Sequence, residues 1–394
     1  MKIETADDAF DMLTSIQVDP YGVQAMLPKM RHLNIRIDSI SCKVANIIKQ
    51  EMLSLGGDAA VARGTVGCSI DGTDVLLMGT RKQYDRLMEK LIVQPFGLRE
   101  LSEAIGQLLE NMDRKTFILK TPRRDIVLGG RTLIMAVLNV TPDSFYDGGR
   151  YFSLNEAVAH GLRLTEEGAD MIDIGGESSR PGADPVSIEE EWRRVIPVVE
   201  KLASLVDIPI SVDTTKADIA HAAMAAGAEM INDISSMTFD HRMAEVVAET
   251  KAAVALMHMR GRPKTMQNGD LVYDDLMADI LEYLRQKMAD AKKMGISEER
   301  IVLDPGIGFG KTVEDNLRII KHLGDLTVLG RPILMGVSRK SFIGRITGDE
   351  TSERIFGTAA AVTAAVMAGS SIVRVHEVGP MKKVVALSDA IRGA

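Results

Sequence analysis

The chain has 394 residues, more than one ordinary domain needs, and its 45% hydrophobic and 26% charged content is that of a globular protein. A net charge of −8 with a pI near 5.5 argues against a nucleic-acid binder, and no run of about 18 apolar residues offers a membrane span. The opening MKIETADDAF lacks the apolar stretch of a secretory signal, and Cys42 and Cys68 show neither CxxC spacing nor a nearby histidine cluster, so both are expected as buried, reduced thiols in a cytoplasmic protein.

Residues 1–115 carry helix signals in ADDAFDMLTSI, SISCKVANIIKQEML and LRELSEAIGQLLENM and a strand signal in TDVLLMGT. They predict a small α/β N-terminal domain without a catalytic constellation; a structural role is expected, with oligomerisation and regulation as alternatives. Residues 116–394 predict a second domain. It opens with FILKTPRRDIVLGG, two short strands around Thr121-Pro122 that suit a hairpin closing the bottom of a barrel. From Arg131 onward eight apolar runs recur: LIMAVLNV, DMIDIGG, IPISVD, EMINDI, AAVALMHM, RIVLDPG, PILMGVS and SIVRVHEV. Between them lie helical stretches such as LNEAVAHGLRLTEEG, IEEEWRRVIPVVEKLASL, KADIAHAAMAAG and TSERIFGTAAAVTAAVMAG. Ser187-Ile-Glu-Glu marks one helix start, and Ser153-Leu-Asn-Glu has the spacing of a capping box. Continuous apolar strands alternating with helices read as parallel strands buried on both faces, and eight such units match a (β/α)8 TIM barrel. An open doubly wound sheet is the alternative, but its first βα turn should carry G-x-G-x-x-G, whereas that turn here reads NVTPDSFYDGG.

In such a barrel, chemistry sits at the C-terminal ends of the strands. Polar residues fall there in all but the fifth and seventh strands: Asn139, Asp173, Asp213, Asn232, Asp304, and Arg374 with His376. Lys340 follows the seventh strand, and Met257-His258-Met259 closes the fifth. Buried carboxylates and amides require partners, so a convergent set implies a polar ligand or a dense internal network. A carboxylate such as Asp304 can accept two parallel N–H bonds from an amidine-like edge, as in a 2-amino-4-oxopyrimidine, and Asn232 can both donate and accept. Lys340, Arg339, Arg374, His376 and Arg180 bring positive charge to an acidic protein and suit a substrate bearing phosphate or carboxylate. GIGFGKT (306–312) imitates a Walker A loop, but the first glycine of G-x-x-x-x-G-K-[ST] falls on Pro305, so the segment reads as a tight βα turn whose glycines let strand and helix approach.

Eight segments, NVTPDSFYDGG, GADMIDIGGESSRPGA, ISVDTTK, INDIS, MHMRGRPKTMQ, LDPGIGFGK, GVSRKSFIG and VRVHEV, together resemble the dihydropteroate synthase family, in family order and from about residue 129 to the C-terminus. Residues 1–115 lie outside the resemblance. It implies condensation of 6-hydroxymethyl-7,8-dihydropterin pyrophosphate with p-aminobenzoate to 7,8-dihydropteroate and pyrophosphate, in a homodimer. It implies a pterin held by Asp213, Asn232, Asp304 and Lys340, with Arg374 and Met257 stacking nearby. Asn139 is similar to the family's Mg²⁺ ligand. Arg180, Arg374 and His376 would hold the pyrophosphate, and Phe145, Ser179, Pro181 and Ser341 would line the p-aminobenzoate pocket. By the same resemblance Asp213, Lys340, Arg374 and His376 would carry the catalytic roles. Ser179 stands where the family usually has Thr, and Ile307 where Phe is frequent; neither touches the pterin or metal set. The second βα loop, DIGGESSRPGADP, and NVTPDSFYDGG are expected to stay mobile until pyrophosphate orders both and closes a pocket for the second substrate. Two alternatives remain: a methyltransferase using a methylated tetrahydropterin, which would not need the SRK and RVH cations, and a non-catalytic pterin-binding protein. No nucleic acid or membrane partner is expected.

Overall fold

A computed structural model describes residues 3, 5–141, 154–177, 185–266 and 271–394. The chain divides into two compact units, Met1–Glu110 and Asn111–Ala394. The second unit thus begins inside the stretch that the sequence assigns to the first domain. Among the described residues no helix is long and apolar enough to cross a membrane.

The first unit runs α1 (Ala6–Ser15), α2 (Pro20–Met30), β1 (His32–Ser41), α3 (Cys42–Ser54), β2 (Asp58–Val61), β3 (Gly72–Thr80), α4 (Arg81–Leu91) and α5 (Leu98–Asp113). Its antiparallel sheet has the order β1-β3-β2. Alternate residues of β3, Val75 and Leu77, turn inward onto Ile48 and Met52 of α3 and Leu87 and Leu91 of α4. The sequence signals find α1, α3, α5 and β3. They miss α2 and β2, and also α4, whose charged RKQYDRLMEKL buries only Tyr84, Leu87 and Leu91, and β1, most of whose residues are exposed. Cys42 is buried and its Sγ donates to Ile70 O (2.6 Å), but Cys68 is exposed, which corrects the expectation of two buried thiols.

In the second unit, β4 (Phe117–Lys120) and β5 (Asp125–Leu128) form the antiparallel hairpin that FILKTPRRDIVLGG suggests. There follow β6 (Leu133–Asn139), α6 (Leu154–Glu166), β7 (Met171–Gly175), α7 (Ile188–Ala203), β8 (Ile210–Asp213), α8 (Ala217–Ala226), β9 (Met230–Asp233) and α9 (Met243–Thr250). Then come β10 (Ala253–Met257), α10 (Leu276–Lys293), β11 (Ile301–Asp304), α11 (Val313–Lys321), β12 (Leu334–Met335), α12 (Ser341–Thr347), α13 (Ile355–Met367), β13 (Ile372–Val375) and α14 (Val378–Arg392). The eight parallel strands lie in the order β11-β10-β9-β8-β7-β6-β13-β12, and a bridge from Leu303 to Ile333 joins the two ends into a TIM barrel. Ser187 caps α7 by accepting from Glu190 N (3.2 Å), whereas Ser153, expected to cap α6, lies outside the described residues.

Each barrel strand alternates between two apolar environments, which is why its sequence reads as unbroken hydrophobicity. Ile172, Ile174, Val212, Ile231, Leu303 and Val373 pack outward against the helices. Met171, Met230, Val302 and Ile372 face inward and form a plug with Leu119 and Leu128 of the hairpin. The hairpin is tied to the same end by Glu229, just before β9, which accepts from Thr121 Oγ1 (2.6 Å) and pairs with Arg124 (2.9 Å). Two positions further along each of those four strands come Asp173, Asn232, Asp304 and Arg374. Period-two alternation therefore stacks a polar layer on the apolar plug.

Candidate active site

Arg374 on β13 organises this layer. Its Nε donates to Asp173 Oδ2 (2.6 Å) on β7, and an Nη donates to Asp213 Oδ2 (2.9 Å) at the end of β8. Asn232 Nδ2 donates to the same Asp173 oxygen (3.0 Å). Strand register sets this up, since Gly175 lies beside Asp213 and Asp213 beside Asn232. Asp173 is fully buried, and its Oδ1 has no hydrogen-bond partner among the described residues. It lies in the middle of β7 rather than at its end, so the sequence places it one layer too high. A lone acid in an otherwise apolar strand, MIDIG, is the signal that it has a buried cation to meet.

Two carboxylates sharing one guanidinium repel each other. Burial lifts the Asp213 carboxyl to about 7; Arg374 pulls it down, while Asp173, Glu191 and Asp233 push it up. Outside Asp213, Lys216 bridges Glu177, which follows β7, and the buried Glu191 on α7. None of these three was singled out from the sequence.

Asp304 ends β11 and accepts from Gly306 N (2.6 Å). Burial raises its pKa, opposed by that N–H and by Lys340, Lys311 and Arg374. Lys340 sits over the Phe309 ring, 4.3 Å from its centroid, and burial lowers its ammonium to about 8. Its Cδ lies 3.2 Å from where a Cβ on Gly308 would be, so the glycine-rich turn forms the seat for the lysine chain. Met257 pairs in register with Asp304 and belongs to an apolar cluster with Ile234, Met259, Met266 and Phe309. His376 Nδ1 lies 2.9 Å from Ser338 Oγ, whose role the sequence did not reveal. Ser341 is exposed in the first turn of α12. Phe145, Ser179, Arg180 and Pro181 lie outside the described residues, as do most of the two loops expected to be mobile.

Among the described residues no group of three or more His, Cys, Asp and Glu could hold a metal. Asn139 ends β6 opposite Gly175, and a Cβ on that glycine would stand 3.7 Å from Asn139 Oδ1 and 3.8 Å from Asp213 Oδ2. The missing Cβ leaves a gap faced by two hard oxygens. Mg²⁺ takes few protein oxygens and completes its shell with water and substrate phosphate, so the donors fit it.

The chain matches the pterin binding enzyme family over residues 135–376, wholly within the second unit. It is 46% identical over 264 residues to the dihydropteroate synthase of Synechocystis sp., a match covering 67% of this chain and 91% of that protein. The chain belongs to the dihydropteroate synthase family. A crystal structure of the Xanthomonas albilineans dihydropteroate synthase with 4-aminobenzoic acid, 42% identical, superposes with a TM-score of 0.66 and covers 71% of this chain and 99% of that one. The probable bifunctional folylpolyglutamate synthase/dihydropteroate synthase of Halobacterium salinarum is 38% identical over 390 residues. That match takes in 99% of this chain, hence both units, but the chain spans only 46% of the Halobacterium protein.

Proposed function

We propose that this chain joins 6-hydroxymethyl-7,8-dihydropterin pyrophosphate to p-aminobenzoate, giving 7,8-dihydropteroate and pyrophosphate. The observation that carries the reading is the polar layer, in which Arg374 holds Asp173 and Asp213 and Asp173 in turn holds Asn232, at the mouth of a barrel of the dihydropteroate synthase family. The similar Xanthomonas protein with 4-aminobenzoic acid supports the choice of second substrate.

The C–O bond between the pterin methylene and pyrophosphate breaks, with the electron pair leaving on oxygen, and a C–N bond forms to the arylamine, which sheds one proton. Asp304 and Asn232 read the pterin's N–H and acceptor edges, Lys340 donates to the ring, and Met257 packs beside it. The electron-rich ring spreads the positive charge that develops on the methylene, and the Asp213 carboxylate stabilises it. Arg374 uses two N–H groups on Asp173 and Asp213 and turns others, with His376 and Arg180, to the leaving group. Asn139 would hold Mg²⁺, which when bound neutralises charge on the departing pyrophosphate. Phe145, Ser179, Pro181 and Ser341 line the p-aminobenzoate pocket. The arylamine is neutral at pH 7, so positioning and charge do the work and no strong base is needed. The protein acts in the cytoplasm as a homodimer.

The test is turnover by the purified chain with both substrates and Mg²⁺. Pyrophosphate should appear only when p-aminobenzoate is present, in equal amount with dihydropteroate. Pterin binding without turnover would make it a binding protein, and cobalamin-dependent demethylation of a methyl-tetrahydropterin would make it a methyltransferase; either ends the synthase reading.

A further inference from the structure

Lys311 carries a charge that the chemistry above does not use. It is 3% exposed, and the hydrogen-bond partners of its Nζ among the described residues are neutral groups. Its Nζ lies 3.0 Å from His258 Nδ1 and donates to the carbonyls of His258 (3.2 Å) and Phe309 (3.1 Å). Three ammonium donors thus meet three neutral acceptors, which assigns the His258 proton to Nε2. Burial holds His258 down at about 3, so it stays neutral, and lowers Lys311 to about 7. Burying an ammonium is costly, and a methionine would fill the same space without that cost.

Its surroundings show where the charge is used. Lys311 closes the turn that begins at Asp304, and the two carbonyls it grips belong to the end of the neighbouring strand and to Phe309, the ring beneath Lys340. Gly306 has φ +72°, and a Cβ there would lie 1.9 Å from His258 O, so the turn is pressed against the residue that Lys311 holds. The charged groups acting on Asp304 are Lys340, Lys311 and Arg374; those acting on Lys311 are Asp304, Lys340 and Asp315.

We propose that Lys311 is a positioning residue of the pterin site: it pins the Gly306–Gly310 turn under Lys340 and supplies the buried positive charge that keeps Asp304 an anion able to accept the N–H groups of a 2-amino-4-oxopyrimidine edge. This rests on the pterin-binding reading of the site. The experiment is binding of 6-hydroxymethyl-7,8-dihydropterin to the full chain across a pH series, for wild type, Lys311→Gln and Lys311→Arg. Gln keeps donors but loses the charge; Arg keeps the charge and alters the geometry. Lys311→Gln should weaken binding roughly tenfold below about pH 7, where Lys311 is charged, and move its acid limb up by about one pH unit, with the KM for p-aminobenzoate unchanged. Lys311→Arg should keep the wild-type acid limb. A wild-type acid limb and affinity in Lys311→Gln, or equal shifts in both variants, overturns the proposal. If Lys311→Gln does not fold, Lys311→Met takes its place; failure of both neutral variants beside a folded Lys311→Arg would mean that the charge serves folding, which also overturns it. A wild type that binds no pterin would instead sink the functional reading.

Discussion

Closed off from solvent, Asp173 takes hydrogen bonds from Arg374 and Asn232 on one oxygen and so fixes two residues of the proposed pterin pocket at once. Replacing Arg374 with Met would leave Asp173 and Asp213 facing each other without a cation, at a cost of about 3–5 kcal/mol. Asp173→Asn keeps the shape and an acceptor, so it should fold. It should raise the KM for the pterin substrate roughly tenfold while leaving that for p-aminobenzoate unchanged; equal KM values would place Asp173 outside the site. The same layer sets a pH profile. The Asp213 carboxyl must lose its proton, at about 7, and Lys340 must keep its proton, which it loses at about 8. Since kcat/KM reports the free enzyme, it should climb as pH rises through about 7 and fall through about 8, and Asp213→Asn should lose the acid limb alone. A flat profile between about pH 6 and about pH 9 would remove both groups from the chemistry. Asp213, Asn232, Asp304, Lys340 and Arg374 were legible as polar residues at strand ends. Asp173 was legible too, but as a strand end rather than as a residue inside β7, and Lys311 was not, because nothing in a linear chain shows that one meets a buried arginine and the other a ring of carbonyls.

Among the elements, the turn Asp304–Gly310 does most to build the site. Gly306→Ala meets His258 O at 1.9 Å and forces a left-handed residue, so it should cost roughly 2–4 kcal/mol and displace Asp304. Thermal unfolding together with pterin KM would check this, and an unchanged melting temperature would contradict it. The Walker-like spelling of this segment is explained by packing: its glycines admit the end of β10, and its lysine points into the protein. The eight barrel strands were legible because helices cover one face and the plug or polar layer the other, leaving continuous apolar runs. In the first unit, β1 carries mostly exposed side chains and β2 buries only one of its four, so no such pattern marks them.

At the scale of the whole molecule, the residues assigned to chemistry all belong to Asn111–Ala394, and solved relatives match about that share of the chain. A chain of residues 111–394 should therefore form dihydropteroate at a rate comparable to the full protein. Loss of activity in a folded 111–394 chain would give the first unit a part in catalysis. The Halobacterium relative carries both units, so the first unit is not peculiar to this chain.

From the sequence alone came the barrel, the order of its strands and most of the polar residues at its mouth, because burial on two faces and the chemistry of each side chain are written locally. Only the tertiary structure decided which of them meet. Arg374 stands 201 positions from Asp173 and 161 from Asp213, and it reaches both because β13 pairs with β6 and closes the cylinder. Inward or outward parity, the depth of each layer and the partner of each buried charge follow from that closure and its register, which no stretch of the chain contains by itself.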